Sequence, residues 1–390
     1  MNSLRLVAPL LLTAAIIGPA SAQPPMIMMP PHLLIALPPV TQQSAAQASH
    51  SPALSAARVA QFTVFDAPGA GTGRRQGTLS NDVNSSSAVT GYYLDSSNSP
   101  HGFLRASDGT FKTFDVDGTQ SQTDPLRMND RGAVVGYYID PNTGSDEGFL
   151  RTPGGAIKTF DGLGGGSAPT IAEAINSKSE AVGSYLDASN VVRGFLRAKD
   201  GTFTQFDAPG SSTTFAFGIN VGGTIIGPYL DASSVYHGYI RAIDGTFTEF
   251  DAPGAGAGPD QGTLAEYVNS TGWIVGKYVD SSSVQHGFVR RPDGTITVFD
   301  APDAGTGSGE GTVGLDINDD GRVSGYYIDA RNTFHGFVRL KNGSLTEFDA
   351  PGAGGHAGHG TFGLGINRYK VITGYELDHS DVFHGYLRTP

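Results

Sequence analysis

The sequence predicts an all-β fold made from one repeated four-stranded unit, and three observations carry that expectation. The string GYYLDSSNSPHGFLR at 91–105 returns as GKYVDSSSVQHGFVR at 276–290, GYYIDARNTFHGFVR at 325–339 and GYELDHSDVFHGYLR at 374–388. Anchor residues recur in one order. Asn84, Asn129, Asn176, Asn220, Asn269, Asn318 and Asn367 are each followed seven residues later by Gly. Fourteen residues beyond that Gly, or fifteen in the second copy, stands an Arg. Finally, glycine makes up 55 of 390 residues, about twice its usual share and without a collagen triplet, which suits short strands joined by tight turns.

Taken in order, the first copy reads as alternating segments near 77–84, 88–95, 101–106 and 111–115. The stretch SDGT between the last two has the Asp-Gly centre of a two-residue hairpin. That register sets Phe103 opposite Phe114, and likewise Phe195 opposite Phe206 and Phe288 opposite Phe299, as aromatic cross-strand pairs. Four strands in each copy of 44 to 49 residues is the signature of a propeller blade, and seven copies fall within the usual four to eight. A parallel solenoid is the rival architecture.

A Phe-Asp pair follows each Arg by nine residues except the last, and the remaining pair, Phe65-Asp66, stands before the first copy. The chain stops at HGYLRTP, one strand short of a full unit. Pairing QFTVF, from Gln61, beside Tyr386 completes a seven-bladed propeller and removes an open sheet edge. A solenoid would not be cut one strand out of phase.

Outside the repeats, Arg5, the apolar run Leu6 to Ile17 and Ala20-Ser21-Ala22 read as a signal peptide over 1–22. Residues 23–58 read as a poorly ordered Pro/Ala/Ser-rich linker, and 59–390 as a single propeller domain. The expected location is periplasmic or extracellular, with no transmembrane segment. There is no cysteine, so packing and hydrogen bonds must stabilise the exported fold. Cleavage after Ala22 leaves 24 Lys+Arg against 37 Asp+Glu, a balance that disfavours nucleic acid and anionic membrane as partners.

The pattern I-N-x-x-G-x-V-x-G-Y…H-G-F-x-R resembles the extracellular HAF repeats of bacteria, here with His-Gly-Phe or His-Gly-Tyr in five copies. Glu147-Gly148-Phe149 and Arg193-Gly194-Phe195 depart from it. The resemblance covers roughly 62–390 and implies a secreted repeat protein, without implying an activity.

In such a propeller the Asp-Ala-Pro-Gly loops and the loops before each His share one face, and the tight turns share the other. From Phe-Asp to Asn takes 19 residues in copies 1, 5, 6 and 7 but 15, 16 and 14 in copies 2, 3 and 4, so one arc of the first face is built up. The aspartates of Tyr-x-Asp (Asp95, Asp140 and their equivalents) are expected to cap their own turns and bond the neighbouring His, since a catalytic site needs one asymmetric constellation. The repeated arginines are expected to bond loop carbonyls or carboxylates between blades, and the Phe-Asp aspartates to begin Asx-type turns. Trp273 is expected to pack.

Single-copy loop residues are the functional candidates. Arg74, Arg75, Gln76, Asp260 and Gln261 are ligand-binding candidates, while His356, His359 and Glu310 are the set able to serve acid–base chemistry if they converge on the channel mouth. Asp316, Asn318 and Asp320 resemble the start of a calcium loop, but Tyr327 stands where the bidentate Glu belongs. The function expected is a binding or scaffold module, a monomer without a cofactor, for glycan or envelope components on the long-loop face. A propeller lyase or hydrolase using the His/Glu set is the alternative.

Overall fold

The computed structural model describes residues 60–116, 118, 122–162 and 169–390, all within the unit Leu54–Pro390. The expected signal peptide and linker lie outside these residues. Among the described residues every regular element is a strand, and no helix is long and apolar enough to cross a membrane.

The repeating unit is seen in β1 (Gln61–Phe65) through β5 (Phe111–Phe114). In it, β2 (Gly77–Val83), β3 (Val89–Leu94), β4 (Pro100–Arg105) and β5 pair antiparallel in chain order. Asn84 Oδ1 accepts the N–H groups of Ser86 and Ala88 and so closes the β2–β3 turn. Asp95 Oδ1 does the same for Ser97 and Ser99 between β3 and β4. The same pairing recurs over Thr123–Phe160, Thr170–Phe206, Thr213–Phe250, Gly262–Phe299 and Gly311–Phe348. Only the innermost strand of Thr213–Phe250 is interrupted, into Thr213–Thr214 and Gly218–Ile219.

The β4–β5 register differs from the sequence expectation by one residue. Phe114 lies opposite Gly102, and Phe103 opposite Thr113. Ala106 bonds Thr110 across a three-residue loop in which Gly109 takes φ 89°, so the bulge absorbs the residue that a two-residue turn would have paired. This slip explains the glycine of His-Gly-Phe. A Cβ on Gly102 would stand 2.9 Å from Phe114 Cζ, because the ring lies across the bare backbone.

The last three strands, Gly360–Ile366, Ile372–Leu377 and Phe383–Thr389, receive β1 as their fourth. Gln61 pairs with Thr389, Val64 with Tyr386 and Phe65 with Gly385, as expected from the displaced Phe-Asp. The hydrogen-bonded ladders do not run continuously. Twenty-one strands form one sheet, and the strands of Thr123–Phe160 and of Thr170–Phe206 form two separate four-stranded sheets.

Side chains join the units where ladders do not. The arginines do not bond loop carboxylates between units; each stacks on the phenylalanine of the preceding outer strand. Arg151 lies 4.9 Å over Phe114, Arg197 4.8 Å over Phe160, Arg388 4.6 Å over Phe348, and Arg105 4.7 Å over Phe65. Each such contact is worth about 0.5–2 kcal/mol. The repeat asparagines add a second handshake: Asn129, Asn176, Asn220, Asn269, Asn318 and Asn367 donate Nδ2 to the main-chain oxygens of Asn176, Asn220, Asn269, Asn318, Asn367 and Asn84. The core is correspondingly a row of clusters shared by neighbours. One holds Phe65, Val371 and Leu387 with Val83, Val89 and Phe103. Trp273 packs at the edge of another, with Arg291 and Lys341 over its ring.

If β1 is as integral as an internal outer strand, Phe65→Ala should cost about 3–5 kcal/mol, matching Phe206→Ala, in urea denaturation followed by circular dichroism. A cost under about 1 kcal/mol at Phe65 alone would show β1 to be dispensable.

Candidate functional site

The repeated polar residues form one closed motif. His101 presents Nδ1 to Asp115 at 3.0 Å and Nε2 to Asp95 at 3.5 Å, with its ring stacked on Tyr93 at 5.1 Å. His237, His286, His335 and His384 repeat the bridge, with Nδ1 2.9–3.0 Å from Asp251, Asp300, Asp349 and Asp66. Arg193 replaces the imidazole and bonds Asp187 at 2.7 Å and Asp207 at 2.8 Å, so this position favours a cation between two carboxylates. Glu147 breaks the pattern and accepts the Tyr138 hydroxyl at 2.6 Å. The Tyr-x-Asp aspartates therefore cap their turns, and in the five copies that have a His they also face it, as expected. Asp66, Asp115, Asp251, Asp300 and Asp349 do not start the expected Asx turns, because their carboxylates are turned back to the imidazoles, as that of Asp207 is to Arg193.

The long-loop candidates are mostly spent on their own loops. Gln76 is buried, accepting Gly73 N–H and donating to Ser96 O, and Gln261 repeats this with Gly258 and Ser281. Glu310 accepts Gly307 N–H at 2.6 Å. Asp260 sits at φ 61° and its N–H bonds Ser234 O. His359 Nε2 lies 3.0 Å from Asp381 Oδ1 without completing a hydrogen bond to it, and its Nδ1 is 3.2 Å from Ala357 O. In three of the four long loops this position thus supplies an acceptor for a glycine N–H, as Gln, Gln or Glu, whereas the fourth has His359.

What does assemble is a junction of the first and last long loops around Asp381. Arg74 Nε lies 2.6 Å from Oδ2 and Arg75 Nε 3.5 Å from Oδ1. Beside them the His356 ring meets those of His359 and His379 edge-on at 5.9 and 5.5 Å. Arg74 is 78% exposed.

The calcium-like trio does not converge. Asp316 accepts the N–H groups of Ile317 and Ile366, Asn318 caps Arg322 N–H and donates to Asn367 O, and Asp320 is exposed. Among the described residues no group of three or more His, Asp or Glu is disposed to hold a metal ion.

The inner strands carry a charged cluster that the sequence reading passed over. Arg127 lies 3.6 Å from Asp82 and 3.5 Å from Asp316, with its guanidinium 4.9 Å over Tyr267. These four come from four different units, yet each stands two residues before its repeat Asn. One residue earlier stand Glu173 and Glu266, both buried, and Glu266 Oε1 has no hydrogen-bond partner. Burial, then the neighbouring Glu266 carboxylate, pushes Glu173 up to about 8. Burial outweighs Lys277 and Arg127 to put Glu266 at about 7, and outweighs Arg127 to put Asp316 at about 7. The signal was available. Amid regular copies, the position two before Asn reads Asp, Arg, Ala, Gly, Tyr, Asp, Gly.

No protein-family model and no curated protein sequence matches the chain. Solved structures do. Virginiamycin B lyase from Staphylococcus aureus superposes with a TM-score of 0.54 at 13% identity, over 85% of this chain and 100% of that one. A streptogramin B lyase gives 0.53 at 11%, over 84% and 97%. The BP39L lectin from Burkholderia pseudomallei gives 0.50 at 8%, over 79% and 94%. The fold is a β-propeller. At these identities the likeness concerns the propeller architecture alone, which hosts lyase and lectin alike.

Two predictions follow from the electrostatics. Burial lowers His335, but Asp329 and Asp349 outweigh it and hold the imidazole at about 9; Asp66 first, against burial, raises His384. Their stabilisation is complete below about 6.5 and is lost as pH rises through their folded values. The raised carboxylates act in the same direction: the unfolded chain ionises them near 4 while the propeller resists until about 7–8, so stability falls across that interval. Asp187 and Asp231, held low first by the Val191 and Val235 N–H groups, lose their contribution only in acid. Melting temperature should therefore peak near pH 5 and decline to pH 9, and NMR titration of His335 should fall toward the ordinary range in Asp329→Asn. Separately, Arg127→Leu strands two buried carboxylates and should cost about 3–5 kcal/mol, with part of the loss recovered when Asp82→Asn is added.

Proposed function

We propose that the chain is an exported, monomeric seven-bladed propeller, closed by β1, that binds a carbohydrate or envelope component rather than turning one over. Closure is supported by the β1 pairing, by Arg105 on Phe65 and by the Asn367 bond to Asn84 O, each linking the last copy to the first. Export is supported by the leader at 1–22 and by the resemblance of the repeats to extracellular HAF repeats.

The observation that favours binding is the commitment of two of the three acid–base candidates, His359 and Glu310, which leaves His356 without a partner for acid–base work. Both nitrogens of His359 face Asp381 and Ala357 O, and the Glu310 carboxylate holds its own loop. A general base needs a free nitrogen or oxygen within reach of a substrate proton. Arg74, Arg75, His356 and His379 present donors and rings around Asp381 on the built-up arc, a surface suited to hydroxyls and to an acidic sugar. Glycan-array binding should fall about tenfold in the double variant Arg74→Ala, His356→Ala with melting unchanged. Binding that survives the double variant would remove this face, and lyase or hydrolase turnover abolished by His359→Ala would replace binding with catalysis.

A further inference from the structure

Copies 1 and 2 leave an opening between them at the tight-turn end, and another junction of the same chain shows what fits there. The opening is a cavity of about 270 Å³, walled by Ala88, Leu104 and Ala106 of copy 1 and by Met128, Gly132 and Pro153 of copy 2. Copies 5 and 6 meet through the same backbone. Trp273 N–H bonds Asn269 Oδ1 as Ala88 N–H bonds Asn84 Oδ1, and Arg291 N–H bonds Thr295 O as Ala106 N–H bonds Thr110 O. Trp273 and Ala88 thus hold one position, four residues after the repeat Asn. The Trp273 ring packs on a cluster that includes Ile317 and Val323 of the next copy, with the Arg291 and Lys341 cations each 5.3 Å from its centre. At the first junction Ala106 and Pro153 stand where Arg291 and Lys341 do. An indole and two long cations are therefore replaced by two methyl groups and a pyrrolidine ring, and the space given up is the cavity. Alanine alone does not open it, since Ala133 one copy on is buried, whereas Ala88 and Leu104 are only partly covered.

The cavity is also charged against the trend of the chain, whose net charge is −12. Lys112 and Arg131 border it, both exposed and neither in an ion pair among the described residues. The buried Arg105, stacked on Phe65, adds a third positive charge to the wall. Against these stands one carboxylate, Asp130, which already accepts Ser85 N–H. At the fifth junction the flanking cations lie on an aromatic ring; at the first, Lys112 and Arg131 flank an open space of the same origin.

We propose that this cleft binds a small aromatic acid, its flat ring in the place that Trp273 fills in copy 5 and its carboxylate at the mouth beside Lys112 and Arg131. A volume of about 270 Å³ lies just below the usual range of small-ligand pockets, about 300–1,000 Å³, so the cleft admits one ring system and not a glycan chain. A sugar ring would press hydroxyls against Ala88, Leu104 and Pro153, which offer them no side-chain partner. An aromatic amine would meet three cations. An aromatic acid instead buries its ring on the apolar wall and gains charge-assisted hydrogen bonds from donors that are free to turn toward it.

The test is calorimetric titration of the protein with indolepropionate, tryptamine, cyclohexanepropionate and acetyltryptophanamide. Indolepropionate should bind saturably at one site, with tryptamine and cyclohexanepropionate at least about tenfold weaker. Ala88→Trp, which gives copy 1 the side chain that copy 5 already carries, should abolish this binding without lowering the melting temperature. Arg131→Glu, at an exposed position, should weaken it at least about fivefold and serves if the first variant misfolds. Tighter binding of acetyltryptophanamide, which has the ring without the charge, would put a protein partner's side chain in the cleft and overturn the acid. Tryptamine binding as tightly as indolepropionate, no binding of indolepropionate, or binding that survives both variants would overturn the proposal as well. Neither variant touches the loops around Asp381, so glycan binding there succeeds or fails independently.

Discussion

A guanidinium lying on an aromatic ring joins each unit to the one before it, and the remaining architecture depends on that contact. The ring can be reached only because it lies flat across a glycine of its own sheet, as Phe114 does over Gly102. The three residues most regularly repeated, the Phe of Phe-Asp, the Gly of His-Gly-Phe and the third-strand Arg, are thus a single device spread over two units. The device also dictates how the described chain ends. The final copy has a glycine, Gly385, waiting for a ring, and the first copy has an arginine, Arg105, waiting for one. Phe65 satisfies both at once, which is why the outer strand of the last copy is drawn from the other end of the chain.

Much of this could be read from residue spacing alone. The position of each strand and the displaced Phe-Asp pair follow from counts between anchors, because a repeat exposes its own boundaries. Register did not follow, since Asp-Gly fits both a two-residue turn and the Gly109 bulge, and only packing of Phe114 on Gly102 decides between them. The partners of long side chains were also beyond reach. An Asp beside Ala-Pro-Gly has a nearby N–H available in sequence, yet Asp66 bonds His384 across 318 positions. Local turn chemistry is visible along the chain, whereas contacts made by folding two distant segments together are not.

Departures from the repeat mean different things in the loops and on the inner strands. In the loops, single-copy residues such as Gln76 and Glu310 turned out to be alternative answers to one local need, an acceptor for glycine-loop N–H groups. On the inner strands, Asp82, Arg127, Tyr267 and Asp316 occupy equivalent positions and answer each other. No single copy explains its own residue there. Arg127 is intelligible only with aspartates from two other units in place.

That distinction gives a physical reason for where specificity can reside in this molecule. Positions between neighbouring units are bound to the handshake, and a change at one must be tolerated by the next. Positions facing the centre meet residues from across the molecule, so a charge introduced in one copy can be balanced in another while every inter-unit contact is kept. The buried surplus of carboxylates there is costly, since Glu173, Glu266 and Asp316 all resist ionisation. A fold held together by its outer contacts can carry that cost, and Asp82 and Asp316 offset part of it by accepting the Met128 and Ile366 N–H groups of the next unit. The centre is therefore the part of the propeller freest to acquire chemistry, and it is where this chain departs most from its own repeat.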